Sequence, residues 1–471
     1  MTIRPLAAAI MLATAQGASA EDSAPPVTID IVESDAGEWT VTYNFVEPQR
    51  ALVLSQAPVV YREWQPLSDG VSMWRIGQME GFVFDEPGTS ATFRFTPHTG
   101  NLPAAYTPFL PFSDGSFGVL TGQFRVKPLA NLDDATRFDG TGEDWAEPVL
   151  ESSVSLSSPR RGDAYVGRPS GVDGTYIFVG DSEPIEGANF AGYVDDGLPT
   201  WLVESFDSDL GVIFTELADG WGIELAEPAR ILMVFRGYET EGLSLGGGAI
   251  GRLLSLEMGG ADLREPIPEI RTYVRWFLAH EAAHVFQQER GNIRALFAGE
   301  GGAWVHEGSA NTFSHNIGAK LADDPEAFLF EVYGEAYRDC LAHLEDAPLS
   351  RASEMQNFRA SYACGDLIAL ATDAALPEHN LYNVWRALQA ASEDADESDR
   401  VSLYFRVLRE LGATETDIAI LRQFATEQPE DAQSFLIDTM AHFGLPLTLD
   451  DENQFVSLKL RSEADMLALF E

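Results

Sequence analysis

The residues His280, Glu281 and His284 form a His-Glu-x-x-His sequence within a stretch whose residue pattern is strongly helical. Two histidines four residues apart lie on one face of an α-helix, about one turn from each other. Both imidazoles can therefore bind one metal ion, and Glu281 projects beside them, where an attacking water would lie. The spacing predicts a peptidase that uses one zinc ion, with Glu281 as its general base.

A catalytic zinc ion needs a third protein ligand, and Glu307 offers one on a second predicted helix that begins near Ala303. Two other glutamates compete for this role. Glu289 lies five residues after His284 and points off the ligand face, and Glu300 lies in a glycine-flanked loop that would hold a ligand less firmly. We therefore predict that Glu307 is the third ligand.

Three polar residues near Glu307 need separate consideration. Asn311 lies four residues later on the same predicted face, so we expect it to hold a ligand imidazole through the second ring nitrogen. A solvated asparagine is the alternative. His306 is rotated by about 100° from Glu307 and should face elsewhere. We interpret His315 as structural, although as a fourth ligand it would convert the site into a closed, purely structural zinc site.

The order of predicted elements indicates an α+β protein. Residues 21–236 are predicted to form a β-rich N-terminal domain, because short runs alternate apolar and polar residues between frequent glycines and prolines. Residues 237–345 are predicted to form a zinc-binding catalytic subdomain, with a glycine-rich edge strand and a motif helix over about 268–289. Residues 346–471 are predicted to form a helical C-terminal subdomain.

Residues 1–20 have the pattern of a secretory signal peptide. Arg4 supplies a positive charge, Leu6–Ala15 is a short apolar run, and Ala18-Ser19-Ala20 is a small-residue cleavage sequence. No later run reaches about 18 apolar residues, so we predict no membrane span. The expected location of the protein is the periplasm or the external medium.

Composition and charge restrict the class of partner. The chain is 45% hydrophobic and 11% aromatic, which is typical of a folded globular protein. Its formal net charge is −44, which repels nucleic acid and anionic lipid. We therefore expect a peptide or protein substrate and no nucleic-acid partner.

The chain contains two cysteines, Cys340 and Cys364. In an oxidising compartment such a pair is a candidate for a disulfide. The alternative is two buried free thiols, because the sequence does not show whether the two Cα atoms come within reach of each other.

The order His-Glu-x-x-His followed by Trp-x-x-Glu-Gly-x-Ala resembles the gluzincin superfamily of zinc metallopeptidases. The pattern is most similar to the aminopeptidase branch, which includes the glycyl-aminopeptidase-like family. The resemblance implies an N-terminal β domain before a thermolysin-like, mostly helical catalytic domain. It also implies a tyrosine, followed by x-x-Gly and an apolar helix, that hydrogen-bonds the oxyanion. Tyr362 occupies this place in the segment Ser361–Leu370.

One departure from the family pattern leaves the mode of cleavage open. Many such aminopeptidases carry a glutamate in a Gly-x-x-Glu segment that binds the free amine of the substrate. The corresponding segment here, Gly247–Arg252, contains no acidic residue. The chain could therefore remove terminal residues or cut inside peptides. A catalytically silent protein of the same fold, which binds peptides or a partner, is the alternative function.

Overall fold

The computed structural model describes most of the chain as two compact units. The described residues are 25–54, 60–77, 79–100, 102, 106–129, 149–160, 163–167, 174–290, 301–355, 357–392, 400–450 and 455–458. Of these residues, those within 25–96, 124–157 and 164–167 form the first unit, and those within 97–123, 158–163 and 174–458 form the second. The predicted signal segment, residues 1–20, lies outside the described residues.

The strands, in chain order, are β1 Val27–Glu33, β2 Trp39–Leu54, β3 Gln65–Pro66, β4 Val71–Ile76, β5 Met79–Phe95, β6 Phe109–Pro111, β7 Phe117–Leu120, β8 Val126–Leu129, β9 Ser152–Ser158, β10 Asp163–Gly167, β11 Tyr176–Val179, β12 Ile185–Glu186, β13 Phe190–Val194, β14 Ala229–Phe235, β15 Ser244–Ile250, β16 Leu253–Gly259, β17 Leu447–Leu449 and β18 Phe455–Leu458. The α-helices are α1 Thr200–Trp221, α2 Pro268–Gln287, α3 Ala303–Leu321, α4 Pro325–Asp346, α5 Phe358–Ala374, α6 Leu381–Ser392, α7 Arg400–Glu410, α8 Glu415–Thr426 and α9 Ala432–His442.

The first unit is built on one sheet with the strand order β10-β9-β1-β2-β5-β3, to which β4 and β8 are added through β5 and β2. In β1 every second side chain is buried, which is the alternation expected of a strand with one face on a core. Tyr43, Phe82 and Phe93 pack in that core, with ring centroids 5.0 Å apart for Tyr43 and Phe82 and for Phe82 and Phe93.

The second unit contains a five-stranded sheet with the order β12-β13-β14-β16-β15. Strands β13, β14 and β16 are parallel, and β15 runs antiparallel to β16 at the edge. The glycine-rich edge strand predicted from the sequence is therefore β15. The sequence of residues 252–258 predicts an exposed strand, and this prediction is wrong. Most of the segment belongs to β16, whose side chains are largely buried and which lies between β14 and β15.

The two faces of this sheet pack against two different hydrophobic cores. Ile231 and Met233 of β14 face the large core formed with helices, whereas Leu232 and Val234 face a smaller core. That smaller core includes residues of a three-stranded sheet with the order β11-β7-β6. Because the parallel strands of this sheet are covered on both faces, residues 231–235 of β14 are all apolar.

The helical part of the second unit confirms the α+β prediction. The motif helix α2 begins with Pro268 at its first turn and ends at Gln287, close to the predicted bounds.

Cys340 of α4 and Cys364 of α5 are joined by a disulfide, and both residues are buried. Within the described residues, no helix is both long enough and apolar enough to cross a bilayer.

One predicted domain boundary lies within a sheet, and the other lies at the end of a helix. The boundary after residue 236 lies between β14 and β15, which belong to one sheet through β16. The boundary at residues 345–346 lies at the end of α4. The observed second unit is discontinuous in sequence, because described residues within 97–123 belong to it together with those within 174–458.

Candidate metal centre

The two motif histidines lie one turn apart on the buried face of α2. His280 is 4% exposed and His284 is 6% exposed, and their ring centroids are 4.7 Å apart. The two Nε2 atoms are separated by 3.1 Å. Each histidine therefore directs the same ring nitrogen to one point, as the four-residue spacing predicts.

The third predicted ligand reaches the same point from α3. Glu307 Oε2 lies 3.4 Å from His280 Nε2 and 3.2 Å from His284 Nε2. Among the described residues, these three side chains form the group of histidine and carboxylate donors that could hold a metal ion. The structure therefore brings together the three residues that the sequence nominated.

The distances between these donor atoms fit a tetrahedral zinc ion. Donors about 2.0–2.1 Å from a tetrahedral centre are about 3.3 Å apart, because an edge of a tetrahedron is about 1.6 times the bond length. The observed separations are 3.1, 3.2 and 3.4 Å. Two imidazoles and one carboxylate are also a donor set that catalytic zinc uses, with the fourth position left for water.

The competing ligands are engaged elsewhere or lie outside the described residues. Glu289 pairs with Arg252, with Oε2 2.7 Å from Nε and Oε1 2.8 Å from Nη2. The ring nitrogen Nδ1 of His315 lies 3.1 Å from Asp366 Oδ2, in a buried cluster that is separate from the three donors. Glu300 lies outside the described residues. The alternative of His315 as a fourth ligand is thus not favoured.

Glu281, the predicted general base, is buried on the same helix as the two histidines. It follows His280 directly and is 8% exposed. Its Oε2 atom has no hydrogen-bond partner among the described residues, which is unusual for a buried carboxylate oxygen. Burial raises the pKa of Glu281, although the charges of His280 and His284 oppose this effect. A carboxylate with a raised pKa can take up a proton more readily.

Tyr362 stands beside the same cluster, on the second turn of α5. Its ring centroid is 5.7 Å from that of His280, and its side chain remains 37% exposed. Burial of the hydroxyl raises the pKa of Tyr362, and the negative charges of Glu307 and Glu281 raise it further. The phenol therefore keeps its proton and can act as a hydrogen-bond donor.

The pKa values of His284 and Glu307 depend on each other. Burial by itself would lower the pKa of His284, but the charge and hydrogen bond of Glu307 outweigh this and raise the pKa to about 9. The same interactions hold the pKa of Glu307 well below its usual range, against the effect of burial. A metal ion that binds here must therefore displace a proton from His284 at neutral pH.

The contact predicted for Asn311 is not formed. Neither Asn311 Oδ1 nor His280 Nδ1 has a hydrogen-bond partner in the described part of the chain. A different residue contacts the other candidate histidine ligand, because Gln287 Oε1 lies 2.7 Å from His284 Nδ1. Gln287 lies three residues after His284, so the i, i+3 spacing on a helix was the available signal.

His306 was expected to face away from the metal donors, and this expectation is wrong. Its ring is stacked on that of His284, with centroids 4.1 Å apart and an interplanar angle of 10°. The rotation of about 100° from Glu307 turns the ring toward the neighbouring helix α2, whose His284 meets it face to face. Burial lowers the pKa of His306 to about 4, so this ring is neutral.

Comparisons with known proteins support the fold. No protein-family model matches the sequence, and neither does any curated protein. Among solved structures, the aminopeptidase N family protein from Idiomarina loihiensis has a TM-score of 0.64 at 13% identity, over 93% of this chain and 82% of that chain. This similarity confirms the predicted fold class and shows that the chain shares its fold with a protein of the aminopeptidase N family.

Two more distant structures were also found. The M1 zinc metallopeptidase from Deinococcus radiodurans has a TM-score of 0.46 at 13% identity, over 86% of this chain and 92% of that chain. Yeast LTA4 hydrolase in complex with bestatin has a TM-score of 0.47 at 12% identity, over 86% of this chain and 67% of that chain.

Proposed function

We propose that this protein is a zinc-dependent metallopeptidase that hydrolyses peptide bonds. The observation that carries the proposal is the convergence of His280 Nε2, His284 Nε2 and Glu307 Oε2, with separations of 3.1–3.4 Å, beside the buried Glu281. One zinc ion bound there would polarise the scissile carbonyl and make a water molecule more acidic.

Glu281 would act as the general base in this reaction. Its Oε2 atom, which has no hydrogen-bond partner among the described residues, would accept a proton from the attacking water, and the carboxyl group would then deliver that proton to the leaving amine. The raised pKa of Glu281 supports both steps, because it brings proton uptake and release closer to neutral pH.

Tyr362 would stabilise the negative charge that develops on the carbonyl oxygen. Its hydroxyl remains protonated because burial raises its pKa, so it can donate a hydrogen bond to an oxyanion. Its partial exposure, 37%, is consistent with a group that must meet a substrate.

The edge strand β15 supports a peptide as the substrate. Gly246 and Gly247 of β15 line a cavity of about 550 Å³, and α2 packs against the same strand. Tyr106 also lines this cavity, and its hydroxyl donates to the Ala249 carbonyl at 3.2 Å. An extended peptide can add to a free strand edge through main-chain hydrogen bonds, and glycines allow close approach of its backbone.

Export to the periplasm or the medium is part of the proposal. The pattern of residues 1–20 supports it, and so does the disulfide between Cys340 and Cys364, since such bonds persist in oxidising compartments. Amino-terminal sequencing of the mature protein tests this part. A mature chain that begins at Glu21 is expected, and a retained Met1 in a producing cell would contradict it.

Metal analysis combined with a peptide library tests the activity. Stoichiometric zinc and cleavage of peptides are the expected result. Zinc without cleavage would favour the alternative function, a catalytically silent protein that binds peptides or a partner. Paired peptides with free and acetylated amino termini then separate removal of terminal residues from internal cutting.

A further inference from the structure

The side chain of Gln287 joins the two helices that carry the candidate metal ligands. It is fully buried at the end of α2, with 0% exposure. Its Nε2 atom lies 3.0 Å from the backbone carbonyl oxygen of His306, which precedes Glu307 on α3. Its Oε1 atom lies 2.7 Å from His284 Nδ1. One amide therefore contacts a ligand on α2 and the backbone next to a ligand on α3.

The hydrogen bond to His306 fixes which way the amide of Gln287 points. A backbone carbonyl oxygen can only accept a hydrogen bond, so the amide group must present its NH₂ side to it. The oxygen of the amide then faces His284 Nδ1, and that ring nitrogen must be the donor. With the Nδ1 proton fixed, Nε2 of His284 is the nitrogen that is left to bind a metal ion.

Two neighbouring contacts hold this arrangement in place. Gln389 of α6 is 3% exposed, and its Nε2 atom donates to the carbonyl oxygens of Phe286 at 2.7 Å and Gln287 at 3.1 Å. These are carbonyls of the last helical turn, which lack partners within α2. The stacked ring of His306 covers one face of the His284 imidazole, 4.1 Å away.

We infer that Gln287 is a positioning residue for zinc, which fixes the tautomer and orientation of His284 and ties α2 to the segment of α3 that carries Glu307. The inference rests on the proposed function, since it concerns how the same metal centre is held. Gln287 contacts neither the substrate nor the metal position, and it acts through His284 and the backbone of α3.

The test measures zinc affinity directly, by competition with a chelator, and needs no assay of activity. Gln287→Met keeps the length of the side chain and removes both hydrogen bonds. We expect it to bind zinc about 10–100-fold more weakly than the unchanged protein, which is the usual effect of losing such a partner. The matched control is Gln288→Ala, the adjacent, less buried glutamine, which should leave the affinity unchanged.

A conservative variant separates positioning from simple packing. Gln287→Glu retains an acceptor for His284 Nδ1 but replaces the donor to the His306 carbonyl with an oxygen that can only accept, so we expect a zinc affinity between those of the Gln287→Met and the unchanged proteins. If Gln287 only filled space in the core, the Gln287→Glu protein would bind zinc no more tightly than the Gln287→Met protein. A Gln287→Glu protein that binds zinc as weakly as Gln287→Met, or that does not fold, would overturn the inference.

The outcomes also distinguish this inference from the proposed function. An unchanged protein that does not bind zinc at all removes the metal centre and, with it, the inference. An unchanged protein that binds zinc and cleaves peptides, together with a Gln287→Met variant of equal zinc affinity, leaves the proposed function intact and overturns the inference alone.

Discussion

Gly308 of α3 and Gly365 of α5 contact each other through backbone atoms. A Cβ atom on Gly308 would lie 2.0 Å from the carbonyl carbon of Gly365, and one on Gly365 would lie 2.3 Å from the carbonyl oxygen of Trp304. Each glycine is adjacent to or within one turn of a candidate functional residue, Glu307 on α3 and Tyr362 on α5. The close crossing of the two helices therefore sets the distance between the third ligand and the candidate oxyanion donor.

Substitution of either glycine by alanine should separate the two helices. We expect Gly308→Ala to lower the free energy of unfolding by about 1–3 kcal/mol, because an overpacked core must shift its backbone. Peptidase activity should fall as well, since Tyr362 moves relative to Glu307. Urea unfolding and kcat measure the two effects.

Gly211 of α1 provides the matched control for this experiment. It is also helical, but a Cβ atom there would meet nothing within 4 Å. Gly211→Ala should leave activity unchanged and raise stability by up to about 1 kcal/mol, because alanine favours the helix. Equal effects of Gly211→Ala and Gly308→Ala would contradict the role of the helix crossing.

The hydroxyl of Tyr362 should contribute to kcat and little to KM. Tyr362→Phe removes one hydrogen-bond donor to the oxyanion and should lower kcat by about 10²–10³-fold, with zinc content unchanged. Tyr273→Phe is the matched control, because its hydroxyl lies on α2 but contacts Glu335 at 3.2 Å. A Tyr362→Phe enzyme with the original kcat would remove Tyr362 from the mechanism.

The carboxylate of Glu281 should be needed for turnover but not for binding of zinc. Glu281→Gln keeps the size of the side chain and removes the base, so we expect a loss of at least about 10²–10⁴-fold in kcat. His284→Ala should lose both zinc and activity. Metal content and hydrolysis, measured on the same preparations, distinguish the two variants. Turnover in Glu281→Gln at the original rate would contradict the assignment of the base.

The disulfide should stabilise the helix that carries Tyr362. It joins α4 to α5 across 24 residues of sequence, and Cys364 lies two residues after Tyr362. Restriction of a loop of this length stabilises the folded state by about 3 kcal/mol. We expect the double variant Cys340→Ala and Cys364→Ala to lose about that much in urea unfolding and still bind zinc. Equal free energies of unfolding for the double variant and the unchanged protein would show that the disulfide does not stabilise the folded state.

The candidate metal donors could be predicted from the sequence because their geometry is largely local. His280, Glu281 and His284 share one helix, whose periodicity fixes their directions. Glu307 is distant in sequence, but its residue type and its predicted helix selected it over Glu289. The structure gives a physical reason for that choice, since Glu289 is held by Arg252 in a bidentate ion pair.

The surroundings of the donors could not be predicted in the same way. The contacts of Gln287 and His306 depend on how α2 and α3 cross, which helical periodicity on one chain segment does not determine. Asn311 had the correct spacing from Glu307, yet its Oδ1 atom reaches no partner in the described residues. Residues within 97–123 belong to the second unit, and this too depends on tertiary packing that local sequence patterns do not predict.

Zinc binding should release a proton from His284, and its affinity should therefore depend on pH. The pKa of His284 is raised from 6.5 to about 9 in the folded protein without metal, so at pH 7 the imidazole is protonated. Zinc needs the neutral imidazole, so the apparent affinity should fall about tenfold for each unit of pH below about 9. Because the raised pKa favours the protonated folded state, the metal-free protein should be stabilised below pH 6.5 and lose that contribution as the pH rises to about 9.

Calorimetric titration with zinc at pH 7, in buffers of different ionisation enthalpy, measures this release directly. About one proton per zinc ion is expected, in addition to any released by the zinc solution itself. At pH 10 the release should approach zero, because His284 is then already neutral. His306→Ala is the comparison variant, because the pKa of His306 is about 4 and its ring is therefore already neutral at pH 7 and adds nothing to the proton release. A release that is absent at pH 7, or equal at pH 7 and pH 10, would contradict the coupling of His284 to Glu307.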